Sequence, residues 1–358
     1  MSFIRSLIPV LFFLLIILPS HLFAEENNYS NHIKPWQYRL GQGLRIAESD
    51  FFLGGYLSVK YYDDARERNY FEFDDLSFFL FGDIGEKVRF FSEMEDDEFY
   101  EIDTSGNSES KKSWQIERLY AEYLHSDVLH VRGGKFLTPV GTWNEVHADP
   151  LTWTVSRPPI TEAAFPEFIT GMEFYGNFIL ADEDMSYILM GQSGESIDEW
   201  TGFRKTHSLA GIKLKWFASP RFNIGVPLLY YTEYEIDDRV YLTGLDFTYK
   251  KSDHEIRFES TYSKVDLEGG GIKEEYGYYI MGVYGLTDKL FAVLRQDYLK
   301  MRESSDHHMT VDLGFTYKYK PQVVFKVEGQ ARYGDLVVVD ELHLNDNERL
   351  LASFSLLL

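Results

Sequence analysis

Between residues 310 and 320 the chain alternates strictly in polarity. Val311, Leu313, Phe315, Tyr317 and Tyr319 share one parity; Thr310, Asp312, Gly314, Thr316, Lys318 and Lys320 share the other. The same rhythm returns in Val323, Phe325 and Val327 against Lys326, Glu328 and Gln330. It recurs in Leu245, Phe247 and Tyr249 against Asp246, Thr248 and Lys250, and in Ile256, Phe258 and Tyr262 against Arg257, Glu259 and Thr261. Successive side chains of an extended strand point to opposite faces, so each segment presents one apolar and one charged face. The segments run to about 8–12 residues, close to what a tilted strand needs to cross a bilayer and longer than a usual globular strand. They predict about sixteen strands, an even number as outer-membrane barrels have. Their ranges are 54–62, 76–82, 87–96, 116–125, 128–136, 170–180, 185–194, 207–217, 222–233, 240–250, 254–264, 276–286, 289–300, 308–320, 323–334 and 349–358. Tight turns such as Gly85-Glu86 and Ser252-Asp253 alternate with longer loops such as 97–115 and 137–169, the short-turn, long-loop pattern of that class. The expected fold is all-β: a transmembrane antiparallel β-barrel over residues 51–358. Fourteen or eighteen strands stay open as alternatives. Residues 38–47 could form another strand, which would force a recount; Pro227 requires a bulge or a break in the ninth, and 289–300 alternates poorly.

The first residues belong to a different pattern. Arg5 precedes an apolar run from Leu7 to Leu18, and Leu22-Phe23-Ala24 offers a cleavage site before Glu25. This reads as a secretory signal peptide over 1–24, followed by a periplasmic N-terminal segment over 25–50. After Glu25 no apolar stretch approaches the roughly 20 residues of a helical span. Composition agrees with strands: 25 Tyr and 28 Phe favour a pleated surface. The absence of cysteine leaves an exported chain to draw its stability from the hydrogen-bond ladder. A net charge of −22 speaks against a nucleic-acid partner, which demands clustered Lys and Arg. His-Glu-x-x-His, Gly-x-Ser-x-Gly and paired-cysteine motifs are all missing, so no catalytic residue, metal or cofactor is expected.

Loop 137–169 stands apart. It holds Pro139, Pro150, Pro158, Pro159 and Pro166, five of the chain's 11 prolines, together with Trp143 and Trp153. Proline lowers the entropy lost on ordering, and tryptophan anchors a segment to a wall. The expectation is a structured third loop folded into the lumen as a constriction. Trp143 and Trp153 would be its anchors, and Glu145, His147, Asp149, Arg157 and Glu162 its charged edge. The alternative is a loop lying outside as a cap or at a subunit interface. Inward parity assigns Arg89, Glu93, Arg118, Glu122, Arg132 and Glu173 to the lumen wall, a surface of mixed charge. The acidic run Glu95, Asp96, Asp97, Glu98, Glu101 and Asp103 could hold divalent cations that bridge lipopolysaccharide; a solvated loop is the plainer reading.

The run Gly134-Lys135-Phe136-Leu137-Thr138-Pro139-Val140-Gly141-Thr142-Trp143-Asn144-Glu145, then His147-Ala148-Asp149-Pro150 and Ser156-Arg157-Pro158, resembles the matching region of bacterial porins in the phosphate-selective porin superfamily. The resemblance is tight over this stretch; elsewhere it rests on strand rhythm. It implies a sixteen-stranded barrel, a homotrimer and an inward third loop. The lysine cluster and arginine ladder on which phosphate-selective members depend have no counterpart in the pattern, and the chain ends on Leu358 rather than an aromatic residue. The function expected is a passive outer-membrane channel for small polar solutes or ions, in contact with outer-membrane lipid and lipopolysaccharide. Two other classes remain: an exported soluble β-sandwich that binds carbohydrate, and a barrel hydrolase. The hydrolase would need a Ser and a His, such as Ser263 and His207, at one height on neighbouring strands.

Overall fold

The computed structural model describes residues 37–41, 43–64, 69–110, 114–197, 204–234, 236–302, 307–334, 336–338, 342–344 and 347–358. The expected signal peptide and residues 25–36 lie outside them. Sixteen strands make the body: β1 (Phe51–Asp64), β2 (Tyr70–Ile84), β3 (Val88–Asp103), β4 (Trp114–Ser126), β5 (Leu129–Leu137), β6 (Phe168–Leu180), β7 (Glu183–Ser193) and β8 (Thr206–Ser219). They continue as β9 (Phe222–Glu233), β10 (Arg239–Lys251), β11 (His254–Asp266), β12 (Ile272–Gly285), β13 (Leu290–Lys300), β14 (His308–Lys320), β15 (Val323–Tyr333) and β16 (Glu348–Leu357). Each pairs antiparallel with the next, and β16 returns to β1 with Ser355 opposite Ser58 and Phe354 opposite Val59. The ladder is therefore a closed ring, and the sandwich alternative, which keeps open edges, ends there.

Closure fixes which parity is outside. On β14, Leu313 is 59% exposed and its neighbour Asp312 only 1%; on β13, Leu294 is 56% exposed and Arg295 is fully buried. The apolar parity faces outward on strand after strand, and the charged parity faces in. An apolar band of this extent needs lipid or detergent against it.

Four details differ from the sequence pattern, each for a physical reason. Residues 38–47 are not a stave. Among the described residues, Gln37–Arg39 and Gly43–Arg45 pair with each other and then only with Phe52 and Leu53 of β1. Gly41 and Gly43, at φ of 76° and 78°, turn the chain back on itself. Pro227 causes neither a bulge nor a break. On the β10 side, pairing stops at Gly225–Asp246 and resumes at Leu228–Thr243 in the same register, so the missing N–H is simply skipped. Strand β3 extends to Asp103 rather than stopping near residue 96. Aromatic contacts such as Phe73 with Phe99, at 5.7 Å between centroids, hold the extension although its acidic run looks like a loop. Finally, β13 alternates in burial throughout, with Phe291, Val293 and Leu299 turned inward. Its inner face is partly apolar because a long connection packs on it.

The division of faces generates a depth test. Leu313→Arg, midway along β14, should cost about 2–4 kcal/mol and Tyr319→Arg, near its turn, about 0–1 kcal/mol, by urea unfolding in lipid vesicles. Equally small costs at both sites would mean that this face meets water.

Candidate functional site

The 138–167 segment joins β5 to β6 and contains a single 3-10 turn, Asp149–Leu151, and a short helix, α1 (Pro159–Ala163). Its neck is closed by Thr138 N–H donating to Glu167 O at 2.8 Å. Asn144 Nδ2 donates to Thr138 O (2.8 Å) and Glu167 O (3.1 Å), while Arg157 reaches Glu167 at 2.5 Å and Asn144 Oδ1 at 3.0 Å. The bulk of its partners lie on distant strands.

A buried backbone group must find a partner, and here inward side chains supply many of them. Glu259 of β11 accepts the N–H of Thr142 (2.8 Å) and of Trp143 (2.9 Å) and the hydroxyl of Tyr279 (2.6 Å). Gly141 makes this approach feasible. It sits at φ +70°, and a Cβ there would come within 2.0 Å of the Glu259 carboxylate. Glu328 of β15 accepts Val155 N–H at 2.8 Å and also the Ser156 hydroxyl. Lys326 donates to Asp149 O (2.6 Å), Thr152 Oγ1 (2.7 Å) and Thr154 O (3.0 Å) and pairs with the Asp149 carboxylate at 3.1 Å. Arg295 of β13 donates to Thr154 Oγ1 (2.5 Å) and Ser156 O (2.7 Å), and is itself neutralised by Asp297 and Asp312. Lys213 of β8 donates to Gly141 O at 2.6 Å, and Arg204 to Ala163 O at 2.6 Å. Trp143 meets Tyr279 edge-on at 6.1 Å, and Trp153 packs on Phe291 at 5.0 Å with Lys318 over its ring at 3.7 Å.

The sequence-nominated residues divide. Glu145 has its side chain 32% exposed and 3.4 Å from Lys213. His147 bridges Asn144 O and Glu117 of β4, each at 3.0 Å. Burial works against its charged form, but Glu117 outweighs burial and holds the imidazole above the usual histidine range. Asp149 is buried under Lys326, and Arg157 is spent within the loop. Glu162, half-buried on α1, is pushed up to about 7 by burial, which Arg157 only partly offsets. On the inner wall Arg118 pairs with Glu93, and Arg132 with Glu122 (2.5 Å) and Glu173 (2.7 Å). Arg89 lies exposed at the turn end beside Asp83. Sequence reasoning overlooked Lys213 and Arg295; the one usable sign was that each is a cation on the inward parity of its strand. The hydrolase pair does not meet: His207 is exposed on a bulge of β8 and Ser263 is buried on β11. The carboxylates of Asp74, Asp75 and Asp97 lie within 4.8 Å of one another, next to Lys60.

No protein-family model matches the chain. A stretch of 176 residues is 28% identical to an uncharacterized protein of Aquifex aeolicus, covering 46% of this chain and 39% of that one, so the chain spans well under half of that relative's length. Among solved structures, it is similar to an anion-selective porin from Comamonas acidovorans (TM-score 0.63, 11% identity, 87% of this chain and 100% of that one). It is similar also to the trimer form of OmpT, an outer membrane protein of Vibrio cholerae (0.58, 10%, 86% and 99%). A third is the outer membrane channel DcaP of Acinetobacter baumannii (0.56, 13%, 88% and 100%). The fold is porin-like.

Two outcomes are expected. Lys326→Met strands a buried Asp149 carboxylate, a loss of about 3–5 kcal/mol for a broken buried pair, and should open 138–167 to limited proteolysis; adding Asp149→Asn should restore much of the protection. Protection unchanged in the single variant would show that the pair holds nothing. Glu162 carries an acid pKa raised in the folded state, so its ionisation destabilises the fold as pH rises through about 7. Glu162→Gln should therefore raise the thermal midpoint at about pH 8, with the gain shrinking towards about pH 5; a gain independent of pH would contradict this.

Proposed function

We propose that the protein is an outer-membrane channel for passive diffusion of small polar or charged solutes, narrowed by the 138–167 segment. The observation that carries this reading is the division of the closed ring into an apolar outer face and an inner face of paired charges, a surface that water and ions can follow. The porin-like fold and the signal peptide expected over 1–24 support it. On this reading the outer face meets membrane lipid and, on one leaflet, lipopolysaccharide. The trimer form described for OmpT is the oligomer proposed for this chain.

The loop takes its wall partners chiefly from β8 and β11 to β16, so the remaining passage is proposed to run along β1 to β7. Glu145 and His147 border it, while Asp149 and Arg157 hold the loop. The net charge of −22 points to cation preference, but the ion pairs argue the other way. Side chains of Lys60, Arg118 and Arg132 are 18%, 22% and 24% exposed; their partners Asp74, Glu93, Glu122 and Glu173 are 7%, 1%, 5% and 2% exposed. The charge nearest the water dominates the local potential, so weak anion preference is proposed. Each of these cations is tied to a carboxylate, and a bare cationic ladder for phosphate is not part of the proposal.

Planar-bilayer recording on refolded protein tests this. Deleting residues 143–157 should raise single-channel conductance, and the reversal potential in a KCl gradient should lie on the anion side. Unchanged conductance would remove the constriction, and a cation-side potential would remove the selectivity.

A further inference from the structure

The inner wall is unevenly covered. On β11 to β15 nearly every inward side chain is buried, much of it beneath the loop, whereas on β2 to β4 Phe79, Phe81, Phe91 and Tyr120 are only half-buried. These four rings share the inward parity of Glu93 and Arg118, and Phe91 touches each of the other three. Centroids are 5.8 Å apart for Phe79–Phe91, 6.4 Å for Phe81–Phe91 and 5.4 Å for Phe91–Tyr120. The two nearest cations lie on them: the Arg118 guanidinium is 4.7 Å from the Phe91 centroid, and that of Arg132 is 4.6 Å from Tyr120. In both pairs the arginine side chain is the more exposed partner and the glutamate side chain is buried.

Three ligand chemistries can be set against this surface. A hydrated inorganic anion uses the guanidinium edges but gains nothing from a row of rings. A neutral sugar gains nothing from having the cations foremost. A planar aromatic carboxylate uses both: its carboxylate meets guanidinium N–H groups not already spent on Glu93, Glu122 or Glu173, and its ring buries against rings already held in place. We propose that the β2–β5 sector of the inner wall binds aromatic monocarboxylates of about the size of benzoate. The proposal rests on the channel reading for its route but not for its binding site.

The test uses the refolded full chain in two arms. In detergent micelles, calorimetry compares benzoate with acetate, which lacks the ring, benzyl alcohol, which lacks the charge, and inorganic phosphate. Benzoate should bind about tenfold more tightly than any of them. Phe91→Leu, which keeps an apolar filler, should erase most of that preference while the protein keeps its heat-modifiable migration; Arg132→Gln should bring benzoate down to benzyl alcohol. In planar bilayers, benzoate should reduce the KCl current at concentrations where acetate does not. Phosphate or acetate binding as tightly as benzoate, or a preference untouched by Phe91→Leu, overturns the proposal. Benzoate binding without any KCl conductance would defeat the channel reading and leave the site standing; conductance without benzoate preference would do the reverse.

Discussion

Everything in this structure depends on one constraint: a backbone that leaves water must pair its own N–H and C=O groups. A sheet does so only when its last strand finds its first, and here β16 pairs with β1 along nine residues from Arg349 to Leu357. Once the ring is closed, no residue can choose its surroundings freely. Parity sends it either to an outer surface with no polar partners or to an inner one crowded with them. The apolar outer band and the charged interior are two consequences of one closure.

The same constraint governs the long connection between β5 and β6. Its backbone is mostly irregular and cannot satisfy itself, so the wall does it instead. Glu259 and Glu328 accept loop N–H groups, while Lys213, Arg295 and Lys326 donate to loop carbonyls. Charged groups buried this deeply are tolerated because each of these five hydrogen-bonds the loop, and removing one partner leaves the other exposed to the full cost of desolvation. The interior charges therefore serve two ends. On one side of the ring they hold the loop; on the other, Arg118 pairs with Glu93, and Arg132 with Glu122 and Glu173.

Much of the fold was legible because period-two alternation is a local signal that survives in a single sequence. The strands near 240–264 and 308–334 announce themselves residue by residue, and the turn residues between them set the register. What was not legible was long-range. Nothing near Asp149 in the chain says that Lys326 will cover it, and nothing near Glu259 says that it will cap the backbone of Thr142 and Trp143. Such pairs join residues more than a hundred positions apart, so loop charges nominated as a free edge included some spent on attachment. The weak alternation of β13 was itself a trace of that contact, since Phe291 and Val293 are inward and apolar where the loop packs. The acidic stretch at the end of β3 misled for the opposite reason: its charges suggest solvent, while its pairing with β2 depends on aromatic neighbours.

The central claim is that one parity meets lipid and the other borders water inside the same ring. The chain has no cysteine, so single-cysteine variants report without background. The most direct measurement is labelling by a membrane-impermeant charged thiol reagent in lipid vesicles, comparing Leu294→Cys with Tyr120→Cys. The result expected is rapid modification at 120, with a change in ion current, and protection at 294 until detergent is added. Equal modification at both positions in intact vesicles would contradict it.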